Sequence, residues 1–318
     1  MKKSILLFFI SWIFIFQSFS QVTENETVLR KNENDTLTGW KTGGIFAITG
    51  SQTSLTNWAA GGENSVSLNA LLSVFANYKK GKISWDNTLD LGYGIMKQGE
   101  QDVRKTDDKI DFSSKFGRQL SPNSFAAALL NFKTQFMPGK NYPDTTIISN
   151  IMAPGYLLFA AGYDFKKGDW LSLFFAPVTG KMTFVLDETL ANAGAFGVEP
   201  AVLNPLDSTI ATPGKKMRTE FGGYFKGAFS KDVMKNVKLN TKLELFTNYL
   251  KNPQNIDVYW ETNIGMKVNK FITVTIGTTV IYDDDIDIEI KDDAGTTIGK
   301  GPRTQFKEVF GLGFSYKF

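Results

Sequence analysis

Histidine and cysteine are both absent from the 318 residues. Without cysteine there are no disulfides and no thiolate metal site, so the fold must be held by burial and backbone pairing. Without histidine the chain lacks the commonest general base and the commonest metal ligand, and Ser–His or Asp–His hydrolytic arrangements are excluded. Proline is scarce, with ten residues. Neither sign of charge dominates: 35 Lys and Arg against 32 Asp and Glu leave +3, with a pI of about 8.7, and nothing in that balance points to nucleic acid. Beyond residue 20 no stretch is long and apolar enough for a transmembrane helix, which takes about twenty residues.

The first twenty residues have a different character. Lys2 and Lys3 form a basic start, and Ile5 to Phe16 is an apolar run interrupted only by Ser11. Ser18-Phe19-Ser20 then places small residues at the −3 and −1 positions before Gln21. This is the pattern of a cleaved secretory signal peptide over 1–20. No cysteine follows it, so lipoprotein processing is not expected. Residues 21–38 are polar and aperiodic and read as a flexible tail.

What is abundant is aromatic residues and glycine: 27 Phe, 10 Tyr, 6 Trp and 29 Gly. They occur in runs that alternate apolar and polar with a period of two, the mark of extended strands. From Val66 to Tyr78, Val66, Leu68, Ala70, Leu72, Val74, Ala76 and Tyr78 share one face, opposite Ser65, Ser67, Asn69, Ser73 and Asn77. Such runs are about twice the usual ~5–6 residues of a strand in a soluble protein, and they fit a tilted crossing of a hydrocarbon layer, which needs about 9–11. Strands are expected near 40–49, 65–78, 83–96, 109–119, 124–136, 155–166, 170–186, 217–230, 237–250, 256–268, 271–283 and 304–318. Every second connection is tight, as at Lys79 to Lys82, Leu120 to Asn123, Lys167 to Asp169, Lys231 to Asn236 and Asn269-Lys270. Most of the others are long: Gly50 to Asn64, Lys97 to Asp108, Met137 to Pro154, Asp187 to Lys216 and Asp284 to Arg303. The link around Lys251 to Asn255 departs from the pattern. Short turns alternating with long loops are the layout of an outer-membrane barrel, and a soluble sandwich gives no reason for them. The expected fold is therefore all-β, an up-and-down antiparallel transmembrane barrel of about twelve strands over 39–318, in the outer membrane of a Gram-negative cell.

Aromatic placement agrees. Tyr78, Trp85, Phe116, Phe165 and Phe229 lie on the apolar face beside the tight turns; Tyr93, Phe136, Tyr249, Trp260 and Tyr282 lie on it beside the long loops. Two interfacial girdles are expected from them. At the C-terminus Phe310, Leu312, Phe314, Tyr316 and Phe318 alternate with Gly311, Gly313, Ser315 and Lys317. This looks like the terminal strand that barrel-assembly machinery recognises, which makes that machinery and outer-membrane lipids the expected partners.

The segment Ser51-Gln52-Thr53-Ser54-Leu55-Thr56-Asn57-Trp58-Ala59-Ala60-Gly61-Gly62-Glu63-Asn64-Ser65 is distinctive. With the alternation around it, over about residues 42 to 95, the chain resembles a domain-of-unknown-function family of outer-membrane β-barrels from Bacteroidota-type bacteria. The resemblance implies fold and location and no activity. The motif is expected in the first external loop, where Gly61-Gly62 permits a tight reversal and Asn57 and Asn64 suit side chain–backbone turn bonds. Trp58 tucks into the mouth or lies at the membrane edge. The loop either closes the barrel top or touches a ligand.

Parity puts Asp86, Asp90, Asp111, Asp164, Glu220, Glu244 and Glu261 on the lumen face, with Lys115, Lys133, Arg218, Lys226, Lys238, Lys242 and Lys267. Balanced signs indicate a paired network or a wetted channel wall, whereas a ring of one sign would indicate ion selectivity. Gly92, Gly94, Asn131, Lys133 and Gln135 are small or polar toward the outer mouth and are expected to border a narrow solute path. Catalysis has little support: Asp86 and Asp90, four residues apart on a strand, stand ~13 Å apart, beyond the ~5–9.5 Å of glycosidase carboxylate pairs. No cofactor is expected. Asp283, Asp284, Asp285, Asp287, Glu289, Asp292 and Asp293 cluster as a hard cation would need. However, Ile286, Ile288 and Ile290 alternate through them, and the segment reads as a hairpin with a solvated acidic face. The stretch from Gly194 to Pro213 carries little charge and suits folding inward or meeting a partner. Two functions stay open: a narrow channel or transporter for a small solute, and a structural or assembly barrel whose external loops bind envelope proteins or glycans.

Overall fold

The computed structural model describes residues 38–54, 63–142, 146–168, 170–269, 272–291 and 297–317. The expected signal peptide, nearly all of the tail, the motif residues Asn57, Trp58, Gly61 and Gly62, and the terminal Phe318 lie outside the described residues.

Long alternating runs with few prolines form long strands. Twelve are described: β1 (Gly39–Thr53), β2 (Ser65–Lys80), β3 (Ile83–Gln98), β4 (Arg104–Ser121), β5 (Ser124–Thr134), β6 (Gly155–Lys167), β7 (Leu171–Phe184), β8 (Met217–Met234), β9 (Val237–Asn248), β10 (Ile256–Lys267), β11 (Ile272–Tyr282) and β12 (Gln305–Lys317). Each pairs antiparallel with its neighbours in sequence, and β1 returns to β12 through Ile45↔Lys317 to Ile48↔Phe314, so the sheet closes on itself as a barrel without an edge. Closure satisfies the backbone N–H and C=O groups that an open edge would leave unpaired. The helical pieces, Glu188–Asn192 and Ala195–Gly197, are short; among the described residues no helix is long and apolar enough to cross a membrane.

Side chains are sorted inside out relative to a soluble protein. Phe46, Ile48, Leu68, Phe159, Phe175 and Val178 stand exposed on the outer surface. The buried side chains facing inward are largely polar, among them Ser67, Asn69, Ser73, Thr88, Thr179, Asn240 and Asn263. Among the described side chains the outer face is thus largely apolar and open, the inner face largely polar and enclosed. Aromatic rings gather at both ends of the outer wall. At the tight-turn end Trp40 stacks near Tyr78 and Trp85, with ring centres 5.3 and 5.6 Å apart. At the other end Phe221 meets Tyr249 at 5.9 Å.

The turns are built from residues that tolerate their backbone. Gly81 takes φ 57° and Asn236 φ 63°, the left-handed region where Gly and Asn carry little penalty. Two expectations about the long connections need correction. The link between β3 and β4 is short, because β4 begins at Arg104 and pairs back to Met96. β1 runs on to Thr53, so Ser51 to Thr53 are strand residues opposite Ser67 to Ser65 and not loop. The remaining loops carry structure of their own: a hairpin of Gly139–Asn141 with Thr146–Ser149, one of Val202–Leu203 with Ile210–Thr212, and one of Asp287–Lys291 with Thr297–Pro302. The last is the acidic hairpin read from the sequence.

The low-charge segment after β7 folds partly inward. Val185, Leu190, Ala191 and Val198 are buried with Ala153 in a small apolar cluster at the loop end. Asp187 caps the five-residue helix, accepting from the N–H of Leu190 at 3.1 Å and from the amide of Asn150 at 3.2 Å. Those two donors hold its carboxyl below the usual carboxylate range. The hairpin tip beyond stays out, with Leu206 94% exposed.

Candidate functional site

The enclosed polar face forms the lumen, and its charges meet across the barrel. Near the tight-turn end, Lys115 on β4 reaches Asp164 on β6 at 2.7 Å. Lys166 on β6 reaches Asp86 on β3 at 3.2 Å and Asp164 at 3.7 Å. Ser172 also donates to Asp164 at 3.1 Å. Midway, Glu244 on β9 takes Lys133 from β5 and Lys226 from β8, both at 3.2 Å. Lys133 bridges three intervening strands to do so and also lies 4.0 Å from Asp111, which Lys109 approaches at 3.7 Å. Lys242 pairs with Glu261 at 3.3 Å. Asp90 accepts from the Ser73 hydroxyl and stands opposite Asp111 across β3 and β4.

The lumen candidates Asp86, Asp90, Asp111, Lys115, Lys133, Glu220, Lys226, Lys242, Glu244 and Glu261 therefore fall into a few linked groups. Glu220 belongs to the group near the loop end. Arg218 reaches Glu220 at 3.0 Å and Asp285 at 2.7 Å, and Lys181 reaches Glu220 at 3.5 Å, Asp257 at 2.7 Å and Asp283 at 3.7 Å. Lys251 adds a bond to Asp285 at 3.0 Å. Burial pushes the Asp285 carboxyl up, but the Arg218 guanidinium and Lys251 outweigh it and hold it below the usual carboxylate range. Asp283 and Asp285, read from sequence as a solvated acidic face, thus turn onto the wall and tie the last loop to it. Among the described residues no group of three or more carboxylates is gathered to hold a metal ion.

Sequence reasoning missed Lys109, Lys166, Lys181 and Asp257. Lys166 and Asp257 share the parity of Asp164 and Glu261 and were legible by that signal. Lys181 was not. A bulge at Pro177 and Val178 shifts the register of β7 against both neighbours, Gly222↔Thr179 giving way to Tyr224↔Ala176. Phe174 and Ala176 point in before it, Thr179 and Lys181 after it. Gly94 also plays a different part from the one expected. A Cβ there would lie 1.9 Å from Asn69 Oδ1 and 2.7 Å from Thr106 Oγ1. Its smallness admits those side chains and does not widen a passage.

The lumen is neither filled throughout nor open throughout. A cavity of about 560 Å³ enters from the tight-turn end, where Gly81, Lys82, Pro122, Asn123 and Gly168 border it. Its lining extends inward to Leu129, Phe174, Lys226 and Lys242. Phe174 is 1% exposed and packs with Leu129, Tyr224 and Phe246, its ring 6.3 Å from Tyr224 and tilted at 63°. This apolar layer and the ion pairs around Glu244 lie at the inner end of the vestibule.

Among known proteins, the family described as Protein of unknown function (DUF3078) matches residues 51–140, from the end of β1 to just beyond β5. No curated protein matches the chain. Solved structures similar to it include an outer membrane channel from Pseudomonas putida F1, at 10% identity and a TM-score of 0.39, covering 90% of this chain and 98% of that one. The translocator domain of the autotransporter NalP from Neisseria meningitidis aligns at 9% identity and a TM-score of 0.39, covering 93% of each chain. The toluene transporter TodX from P. putida aligns at 9% identity and a TM-score of 0.33, covering 89% and 80%.

Proposed function

We propose that the chain is a bacterial outer-membrane β-barrel, exported through a cleaved leader, whose lumen is a narrow path for small solutes held here in a closed arrangement. The exposed apolar outer wall, closed into a ring around a polar interior, supports the membrane assignment: apolar area of that extent stays out of water only against lipid or a partner. The observation that carries the path is the vestibule. A barrel that serves only as a scaffold can fill its interior with side chains, as small barrels do, whereas this one keeps a cavity of about 560 Å³ ending on the aromatic side chain of Phe174.

Planar-bilayer conductance of the refolded barrel tests the reading. The expected result is little or no current for the parent and clear ion-conducting steps for Phe174→Ala, with folding of both verified by their migration on unheated gels. Silence from both variants refutes the path. In that event the assembly reading takes its place, and a specific feature favours it: the apolar hairpin around Leu206 projects from the loop end. Deleting residues 202–212 would then abolish co-purification of an envelope protein.

A further inference from the structure

We propose that the vestibule is a binding site for a compact organic anion, one that carries a phosphate or carboxylate group on an apolar body. The inference rests on the solute-path reading only for its biological use and names the solute class for that path.

The wall carries a marked excess of one charge. Lys41 and Lys82 stand at the rim, Lys115 and Lys166 below them, and Lys226 and Lys242 at the inner end. Asp86 is the one carboxylate on that wall among the described residues. The carboxylates that pair with the deeper lysines, Asp164 with Lys115, Glu244 with Lys226 and Glu261 with Lys242, do not themselves line the cavity. Asp164 is 1% exposed. A ligand entering the cavity therefore meets ammonium groups in front and carboxylates behind, and the potential in a narrow, weakly screened space is positive. The inner end also carries apolar surface. Leu129 and Phe174 supply it, and Lys115 lies 6.0 Å from the centre of the Phe174 ring. A volume of about 560 Å³ is within the ~300–1,000 Å³ of small-molecule sites. An apolar body against Leu129 and Phe174 and an anionic head among the lysines use both parts of the wall.

The test is titration calorimetry on the full folded barrel in an uncharged detergent at low salt, with phenyl phosphate as probe and phenol and benzyltrimethylammonium as neutral and cationic counterparts. Phenyl phosphate should bind, weaken as salt is added, and outcompete both counterparts by ten-fold or more. Lys82→Gln and Lys226→Gln should each weaken it by about ten-fold, the scale of one charge-assisted bond. Lys82 lies at the rim, so Lys82→Gln should leave the fold intact; Lys226→Gln leaves Glu244 its bond to Lys133, and its folding is verified by migration on unheated gels before titration. Equal binding of phenol, or phenyl phosphate affinity unchanged in both variants, overturns the anion site. Bilayer recordings on the parent and on Phe174→Ala keep the two readings apart. Anion binding with both of them electrically silent sustains the site and removes the path; conductance of Phe174→Ala without anion binding by the parent does the reverse.

Discussion

Replacing Glu244 with Gln should destabilise the folded barrel by about 2–3 kcal/mol. Its carboxylate holds two lysines that come from different parts of the ring, each at 3.2 Å. At an effective dielectric of about 20, each contact is worth roughly 5 kcal/mol of Coulomb energy before desolvation. Desolvation of three charges consumes much of that, and the net value of a buried pair is small. Removing one partner is another matter, since it leaves its mates buried and short of a counter-charge, at a typical cost of about 3–5 kcal/mol. The lysine side chains keep 28% and 17% of their surface, and Lys133 retains Asp111 at 4.0 Å, which lowers the expected cost to the figure given. Urea unfolding of the refolded barrel, followed by intrinsic fluorescence, measures it. The companion variant Lys133→Met and the double variant close a cycle, whose coupling should be about 1–3 kcal/mol. A loss below about 0.5 kcal/mol for Glu244→Gln, or a coupling near zero, would show that water and not the carboxylate neutralises these lysines, and the picture of a cross-braced lumen would fall.

Two further outcomes follow from the loop end and the chain terminus. Asp187→Ala should loosen the segment 185–198 by about 1 kcal/mol, the usual value of a helix cap, and speed its proteolysis while the barrel stays folded. Because the Asp187 carboxyl is depressed in the folded state, the stabilisation it adds is present above the ordinary aspartate pKa of about 3.9 and is lost as pH falls through the folded value. Cleavage of the segment should therefore be flat across neutral pH and rise only in acid, and an onset near pH 6 would point to some other group. Deleting Phe318 should lower outer-membrane insertion and raise periplasmic degradation in cells; undiminished levels of inserted barrel would remove the terminal strand as the recognition element.

The strands were readable because their two faces differ in chemistry. β3 is expected over 83–96 and spans Ile83–Gln98, since Ile83, Trp85, Leu89, Leu91, Tyr93 and Ile95 share one face with Asn87 as the one polar residue among them. Where that contrast fades, so does the signal. The start of β4, Arg104 to Asp107, is polar on both faces, and only its pairing with Met96 to Gly94 shows it to be strand. Parity singled out many of the charged residues that meet inside the ring, Lys181 excepted, but which lysine meets which acid could not be read, because Lys133 and Glu244 lie 111 positions apart and are joined only by the curvature of the closed ring. The inward fold of the 185–198 segment was likewise out of reach, since short apolar stretches such as Val185 and Leu190-Ala191 look the same whether they pack on a neighbour or face a partner.

The bulge in β7 links these observations. Proline has no N–H to give to a ladder and is tolerated in a strand where the ladder is already broken. Around Pro177 two residues oppose one on each flanking strand, Pro177 and Val178 against Gly223 of β8 and Ala176 and Pro177 against Gly162 of β6, and Pro177 and Val178 both point outward. The neighbouring backbone comes so close that a Cβ on Gly162 would lie 2.0 Å from the carbonyl oxygen of Phe175, so only glycine fits opposite. The consequence is a reversal of parity halfway along the strand. Before the bulge the inward side chain is Phe174, which ends the vestibule. After it the inward side chain is Lys181, which gathers Glu220, Asp257 and Asp283. In a strand without the bulge, a residue seven positions from Phe174 would stand on the apolar outer wall, where an ammonium group would be costly in the proposed membrane setting. The same irregularity that hid Lys181 from a period-two reading thus lets one strand supply both the apolar end of the vestibule and the cation that ties the last loop to the wall.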